Sequence, residues 1–159
     1  MKKIITTTTI LGCLLIAPSV LANEVSKEGT EIKVQEPEVT VTKSDDTVYA
    51  DVNTTIKTEI PDEVAINEGD TLTYQLPEQL QFNTDYNFPV NNNEGVEVGQ
   101  AQTSATENIV KTTFNNYFQD HPLDKSFNLN FTTKYNREIV KKNETINLNF
   151  NGLSLIHIS

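Results

Sequence analysis

Small, apolar and β-branched residues alternate with polar residues along most of the chain after residue 37. The clearest case is residues 48–60, where every even position is small, apolar or β-branched. These positions are Val48, Ala50, Val52, Thr54, Ile56, Thr58 and Ile60. A period of two predicts a strand with one buried face, because successive side chains on a strand point to opposite sides. A helix would need apolar residues three and four positions apart, and β-branched residues disfavour it.

The same alternation, interrupted by turn residues, predicts most of the remaining strands. They are expected at residues 39–43, 72–76, 109–114, 127–135 and 146–150. Shorter strands at 88–90 and 96–98 should flank a loop of Asn, Glu and Gly at 91–95. Leu80 and Phe82 continue the apolar positions on a short extension after the third strand.

Residues 115–121 lack a clear alternation and predict a single helical turn. Pro122 limits its length, because proline in a helix interior removes a backbone donor and clashes with the preceding turn. Tyr117 and Phe118 should pack at the end of a sheet. With about eight or nine strands and no long helix, the chain predicts an all-β fold, an antiparallel immunoglobulin-like β-sandwich over residues 38–152.

The first 22 residues predict a secretory signal peptide. Met1-Lys2-Lys3 is a short basic start, residues 4–16 are apolar and Thr-rich, and Val20-Leu21-Ala22 suits a signal peptidase that cleaves after Ala22. A membrane-spanning helix would need about 20 continuous apolar residues, and four threonines and Pro18 shorten this run. Lipid attachment at Cys13 is an alternative. We expect a secreted protein that has no membrane-inserted segment once the signal is cleaved.

Residues 23–37 predict a flexible acidic leader, because they contain little to bury. Cleavage of 22 residues from the 159 leaves 137, the size of one domain. The net charge changes from −10 to −12, because two lysines leave with the signal and all 22 acidic residues stay. Such a surface repels nucleic acid. No cysteine remains after cleavage, which is atypical of an exported animal domain and points to a bacterium.

Catalytic chemistry is not evident in the sequence, which predicts a protein that is not an enzyme and uses no cofactor or metal. His121 and His157 are the two histidines, and neither belongs to a nucleophile or zinc pattern. Paired acids at Asp45-Asp46 and at residues 67–70 leave calcium binding open as an alternative, although EF-hand spacing is missing.

An intramolecular Lys–Asn isopeptide bond is a further candidate. The chemistry needs a buried lysine, a facing asparagine and a carboxyl group that shuttles protons. Lys43 on an early strand and Asn147 or Asn149 on the last strand are the candidate partners.

The last seven residues, 153–159, are apolar and unlike the preceding sequence. They resemble translated sequencing-adapter read-through, which predicts a non-native tail on a piece of a longer protein. A genuine final strand is the alternative.

One stretch resembles a known family. Residues 67–82, Asn-Glu-Gly-Asp-Thr-Leu-Thr-Tyr-Gln-Leu-Pro-Glu-Gln-Leu-Gln-Phe, are similar to a segment of Gram-positive cell-wall adhesins of the collagen- and fibrinogen-binding type. The resemblance implies a turn at Gly69-Asp70 and a strand with Leu72 and Leu76 in the core. The residues expected at the end of that strand are Pro77, which stops it, and Phe82, which closes the end of the sandwich.

Two other segments resemble the same family more loosely. Residues 108–118 are similar to a segment that contains Tyr117, although Asn116 and Phe118 depart from the usual Asp and Val. Residues 127–131 match the strand that follows. We expect Tyr74 and Tyr117 to be packing residues and not ligand contacts.

The resemblance implies a function at the surface of a bacterium. It implies an adhesin domain that binds a host matrix protein of the collagen or fibrinogen type together with a following Ig-like domain of the same chain. It also implies anchoring to the cell wall through a missing C-terminal region. No ligand-binding residue can be assigned from it. A structural stalk or pilin-like domain without its own ligand is the alternative, and a secreted enzyme or inhibitor ranks third.

Overall fold

A computed structural model of the chain describes residues 29–34, 37–141, 145–150 and 154–158. The predicted signal peptide with Cys13, and residues 23–28 of the leader, lie outside these residues. Among the described residues, no helix has the length and apolar character that crossing a membrane requires.

Ten strands and one short helix make up the described part of the chain. They are β1 (Glu38–Lys43), β2 (Asp51–Ile60), β3 (Thr71–Gln75), β4 (Leu80–Gln81), β5 (Asn87–Asn91), β6 (Glu97–Ser104), β7 (Ile109–Phe114), α1 (Tyr117–Asp120), β8 (Lys125–Tyr135), β9 (Ile146–Phe150) and β10 (Ser154–Ile158). All pairings between these strands are antiparallel. The prediction of an all-β, antiparallel fold is confirmed.

A curled sheet carries most of the fold. Its strands follow the order β1-β2-β8-β5-β6-β7-β3, and β4 pairs with β8 beside this path. β5 meets β8 at one residue pair, Asn91 with Asn128. The pairing of β5 with β8 is limited to that residue pair, and apolar side chains from both halves of the strand order share one core. β9 and β10 form a second, two-stranded sheet.

The long pairing between β2 and β8 forms the centre of the core. Ile56 of β2 lies opposite Leu129 of β8, and both are buried. Each such side chain stabilises the fold by about 1.5–3 kcal/mol through removal of apolar surface from water. The even positions of β2 from Val52 to Ile60 are buried, which confirms the predicted period of two.

β2 begins at Asp51, three residues later than the alternation predicted. The preceding residues form a turn, because the Asp45 carboxylate accepts hydrogen bonds from the Thr47 amide at 2.8 Å and the Thr47 hydroxyl at 2.5 Å. The Ser44 amide donates to the Asp51 carbonyl at 2.9 Å, which closes the hairpin between β1 and β2.

The short helix confirms the predicted turn. α1 spans Tyr117–Asp120 and buries Phe118, whose ring packs edge-on against Phe114 of β7 at 5.9 Å between centroids. Tyr117 is partly buried against the same core, and its ring stacks on His121 at 4.1 Å.

Part of the leader is placed differently from the sequence expectation. Residues 29–34, predicted to be flexible, lie beside β3, where Glu31 forms a parallel bridge with Thr71. The segment has few apolar residues. Backbone pairing and the carboxylates of Glu31 and Asp70 hold it beside β3.

The tail contributes β10, which pairs with β9. The inward side chains of β9, Ile146, Leu148 and Phe150, belong to the core. A non-native origin of residues 153–159 stays a prediction, because backbone pairing does not report the origin of a sequence.

Candidate ligand-binding surface

The Gly69–Asp70 turn is a tightly bonded corner of the fold. Gly69 has a φ of +88°, in the left-handed region that favours glycine. The Asp70 side chain is only 5% exposed. Its carboxylate accepts hydrogen bonds from the Asn67 amide and the Thr30 amide, each at 2.7 Å. The motif therefore joins its own turn to the segment that precedes β1.

The apolar residues of the same motif lie in the core. Leu72, Leu76, Pro77 and Phe82 are buried, and β3 ends at Gln75. The Phe82 ring packs against the ring of Phe131 at 5.5 Å between centroids.

Tyr74 and Thr58 form a polar contact inside this core. Both side chains are buried, and their hydroxyl oxygens lie 2.6 Å apart. Burial raises the pKa of Tyr74 to about 12, and the Thr58 hydrogen bond offsets only part of that rise. The contact is structural, because its groups do not reach the surface.

The candidate isopeptide residues occupy β1 and β9. Lys43 is partly exposed at the end of β1, and its ammonium lies 2.8 Å from the Asp46 carboxylate, which raises the pKa of Lys43. Asn147 and Asn149 lie on the exposed face of β9. The isopeptide bond stays a prediction.

The acids considered for calcium have other partners. Asp45 caps its own turn, Asp46 pairs with Lys43, and Asp70 accepts backbone amides. Among the described residues, no group of three or more His, Cys, Asp or Glu side chains is placed to hold a metal ion.

An open pocket of about 830 Å³ lies where β2 ends and β8 begins. Its lining comes from the start of β1, the end of β2, the start of β8, the loops next to these strand ends, and the β5–β6 loop. The lining residues are Glu38, Lys57, Thr58, Glu59, Ile60, Pro61, Asp62, Asn93, Asp124, Lys125 and Ser126. Four of these side chains are carboxylates and two are ammonium groups, so the pocket carries a net negative charge and favours a cationic group.

Lys125 is a buried cation beside this pocket. It is 2% exposed, and its ammonium donates hydrogen bonds to the carbonyl oxygens of Asp62, at 3.2 Å, and of Pro122. The Asp124 amide donates to the Asp62 carboxylate at 2.9 Å, which ties the two loops together. Lys125 was not among the residues predicted from the sequence. Its position has the same parity as Phe127 and the later buried residues of β8, so an extended alternation would have placed it inward.

A neutral polar face adjoins the pocket on the outer side of β2 and β8. Asn53 lies opposite Thr132, and Thr55 lies opposite Asn130. Each pair is joined by a 2.8 Å hydrogen bond from the threonine hydroxyl to the asparagine side-chain oxygen. The Tyr86 hydroxyl lies 3.3 Å from both the amide and the carbonyl of Thr132. These fixed amide and hydroxyl groups could bond to a peptide or a sugar.

The chain is similar to proteins of streptococci. The wall-associated protein of Streptococcus mutans serotype c is 40% identical over 94 residues, which are 59% of this chain and 21% of that protein. The chain therefore spans about a fifth of the length of this relative.

Two solved structures from Streptococcus agalactiae share the fold. The serine-rich repeat protein Srr2 superposes with a TM-score of 0.60 at 12% identity, over 82% of this chain and 46% of that chain. The serine-rich repeat adhesion glycoprotein Srr1 superposes with a TM-score of 0.54 at 13% identity, over 78% of this chain and 44% of that chain. Both superpositions cover most of the all-β architecture described above.

A family model described as the bacterial Ig domain matches residues 45–145, which extend from the β1–β2 turn to the residue before β9 and include most of the curled sheet. The match covers well over half of the 159 residues. The chain belongs to the bacterial Ig domain family.

Proposed function

We propose that this chain is an Ig-like module of a cell-surface adhesin of a Gram-positive bacterium. Residues 1–22 would direct its export, and a further region of the longer protein would hold it at the cell wall. The observation that carries the proposal is the 40% identity with a wall-associated protein over 94 residues. The resemblance of residues 67–82 to collagen- and fibrinogen-binding adhesins supports the same assignment.

The ligand in this proposal is a basic segment of a host matrix protein, of the collagen or fibrinogen type. Carboxylates of Glu38, Glu59, Asp62 and Asp124 around the pocket would attract such a segment by charge complementarity. The adjoining Asn and Thr side chains on β2 and β8 would bond to its backbone. A following Ig-like domain of the same protein would add contacts to those that this chain makes by itself.

Surface plasmon resonance with immobilised collagen and fibrinogen tests this proposal. The chain should bind one of them, with an affinity that falls as salt rises, because salt screens exposed charges. Glu59→Lys should weaken binding at low salt, since it reverses an exposed charge in the pocket lining.

Glu107→Lys is the matched control for this experiment. It makes the same charge change at an exposed position in the β6–β7 turn, outside the pocket lining. Equal weakening by both variants would contradict a ligand site at the pocket. Absence of binding to either protein would favour a structural stalk domain without its own ligand.

A further inference from the structure

β3 is bonded to β7 on one side and to the leader segment on the other. We call residues 29–34 the strap. The Ile32 amide donates to the Thr71 carbonyl at 2.6 Å, and the Thr71 amide donates to the Thr30 carbonyl at 2.9 Å. The strap therefore runs parallel to β3 and satisfies backbone groups that a free strand edge would expose.

Side chains of the strap match groups along the same edge. The Glu31 carboxylate accepts the Thr73 amide at 2.7 Å and the Thr71 hydroxyl. Burial alone would raise the pKa of Glu31, but these hydrogen bonds and the charge of Lys33 lower it below its ordinary value. Ile32 is 7% exposed and belongs to the core. The edge thus offers a carboxylate-binding position followed by an apolar one.

Gly29 adds a steric requirement at the start of the strap. A Cβ atom there would lie 1.7 Å from the Gly69 carbonyl oxygen and 2.6 Å from the Asp70 amide nitrogen. Both are backbone atoms, so a side chain could not be accommodated without displacement of the strap or of the turn. The Asp70 carboxylate accepts the Thr30 amide at 2.7 Å and fixes the next residue.

We propose that the β3 edge and the Gly69–Asp70 turn form a strand-acceptor site that selects an extended Gly-Thr-Glu-Ile segment. The strap occupies this site as an exchangeable intramolecular ligand. Main-chain pairing supplies the general affinity for a strand, while the glycine contact, the carboxylate bonds and the Ile32 position supply selectivity. The strand-acceptor site would bind this segment whether or not the chain binds a matrix protein.

Exchange is expected because the main-chain pairing between the described residues of the strap and β3 is short. The strap forms one β-bridge with β3, and residues 35–37 separate it from β1. A tethered segment competes with a free one through its effective concentration. Weakening of the strap should therefore open the site to the same sequence supplied as a peptide.

A labelled peptide of residues 29–34, Gly-Thr-Glu-Ile-Lys-Val, tests the proposal by fluorescence anisotropy. The full chain with Gly29→Ala should bind it at least about tenfold more tightly than the wild-type chain, whose own strap competes. Lys33→Ala is the matched control, since Lys33 is exposed and its loss should leave peptide binding at the wild-type level. A peptide that begins with alanine should bind much more weakly to the Gly29→Ala chain.

Three results would overturn the proposal: no binding by a folded Gly29→Ala chain, equal binding by wild type, or equal binding of the alanine peptide. If Gly29→Ala does not fold, the proposal is tested by hydrogen exchange in single variants of the chain that keep Gly29. Glu31→Ala should speed exchange of the Thr73 amide by about tenfold or more while Lys33→Ala does not, because the Glu31 carboxylate accepts that amide and alanine has no acceptor. An unchanged Thr73 rate in Glu31→Ala would refute the selectivity.

Discussion

Replacement of Tyr74 by phenylalanine should destabilise the domain at neutral pH and change how its stability responds to alkali. The Tyr74 and Thr58 hydroxyls lie 2.6 Å apart, and both side chains are buried. Without the Tyr74 hydroxyl, the Thr58 hydroxyl loses its bonding partner in the core. An unsatisfied buried hydroxyl costs about 1–3 kcal/mol, which sets the expected loss near pH 8.

The alkaline effect follows from the raised pKa. The pKa of Tyr74 has its ordinary value of 10.0 in the unfolded chain and is raised to about 12 in the folded one. The stability that its neutral form contributes is fully present below pH 10 and is lost as pH rises through 12. The loss is about 1.4 kcal/mol by pH 11 and about 2.7 kcal/mol in total. Tyr74→Phe removes this loss, so the advantage of wild type over the variant should shrink by those amounts.

Urea unfolding followed by far-ultraviolet circular dichroism, at steps from pH 8 to pH 11, measures both effects. Lysines and other tyrosines also titrate in this range, so the informative quantity is the difference in unfolding free energy between wild type and Tyr74→Phe. Tyr49→Phe is the control at pH 8, because Tyr49 is 65% exposed and loss of its hydroxyl should leave the free energy of unfolding nearly unchanged. A constant difference for Tyr74→Phe across the range would refute the argument.

Three further substitutions test the turn and the buried cation, each by the urea midpoint. Asp70→Ala should lower the free energy of unfolding by about 3 kcal/mol, because two backbone amides lose a charged acceptor. The control Glu68→Ala changes an exposed residue and should lower it little. Equal losses in the two variants would contradict this expectation. Gly69→Ala should lower the free energy of unfolding by about 1 kcal/mol, because alanine is strained at the φ of +88° that Gly69 adopts. An unchanged free energy of unfolding would refute this strain. Lys125→Met should lower the free energy of unfolding by about 1–3 kcal/mol, because two carbonyl oxygens lose their hydrogen-bond donor. A gain in stability, or an equal loss in the exposed control Lys57→Met, would contradict this expectation.

The strands that the sequence predicted well are those with large or β-branched inward residues. β2 and β8 bury Val, Ile, Leu, Phe and Thr at alternate positions, and the period of two is visible without a structure. β6 was predicted only at its start. It continues to Ser104, but its buried residues after Val98 are Gly99, Ala101 and Thr103, which give almost no hydrophobic signal. Gly99 is required there, since a Cβ would lie 2.4 Å from the Thr113 carbonyl oxygen.

The sequence indicated the Gly69–Asp70 turn but not what the turn binds. Its second partner, Thr30, lies 40 positions away in the chain, in a polar segment whose composition favours flexibility. Composition measures how much apolar surface a segment can bury. It does not register a carboxylate such as Asp70 or Glu31 that meets backbone donors from a distant segment. For Lys125, the alternation of β8 indicates an inward side chain, but composition does not register its partners, which are two carbonyl oxygens in loops.

The strap lies where the two ends of the strand order are connected along the chain. β1 and β3 are the two ends of the strand order, and each end of a curled sheet leaves a row of unpaired backbone groups. The strap pairs with β3 and is followed after residues 35–37 by β1, so one short segment connects both ends of the sheet. Asp70 holds the turn and the strap with the same carboxylate. Loss of that carboxylate should therefore release the strap as well as loosen the turn. Hydrogen exchange of the Thr71 and Thr73 amides, which are bonded to the strap, should then become faster for both amides together.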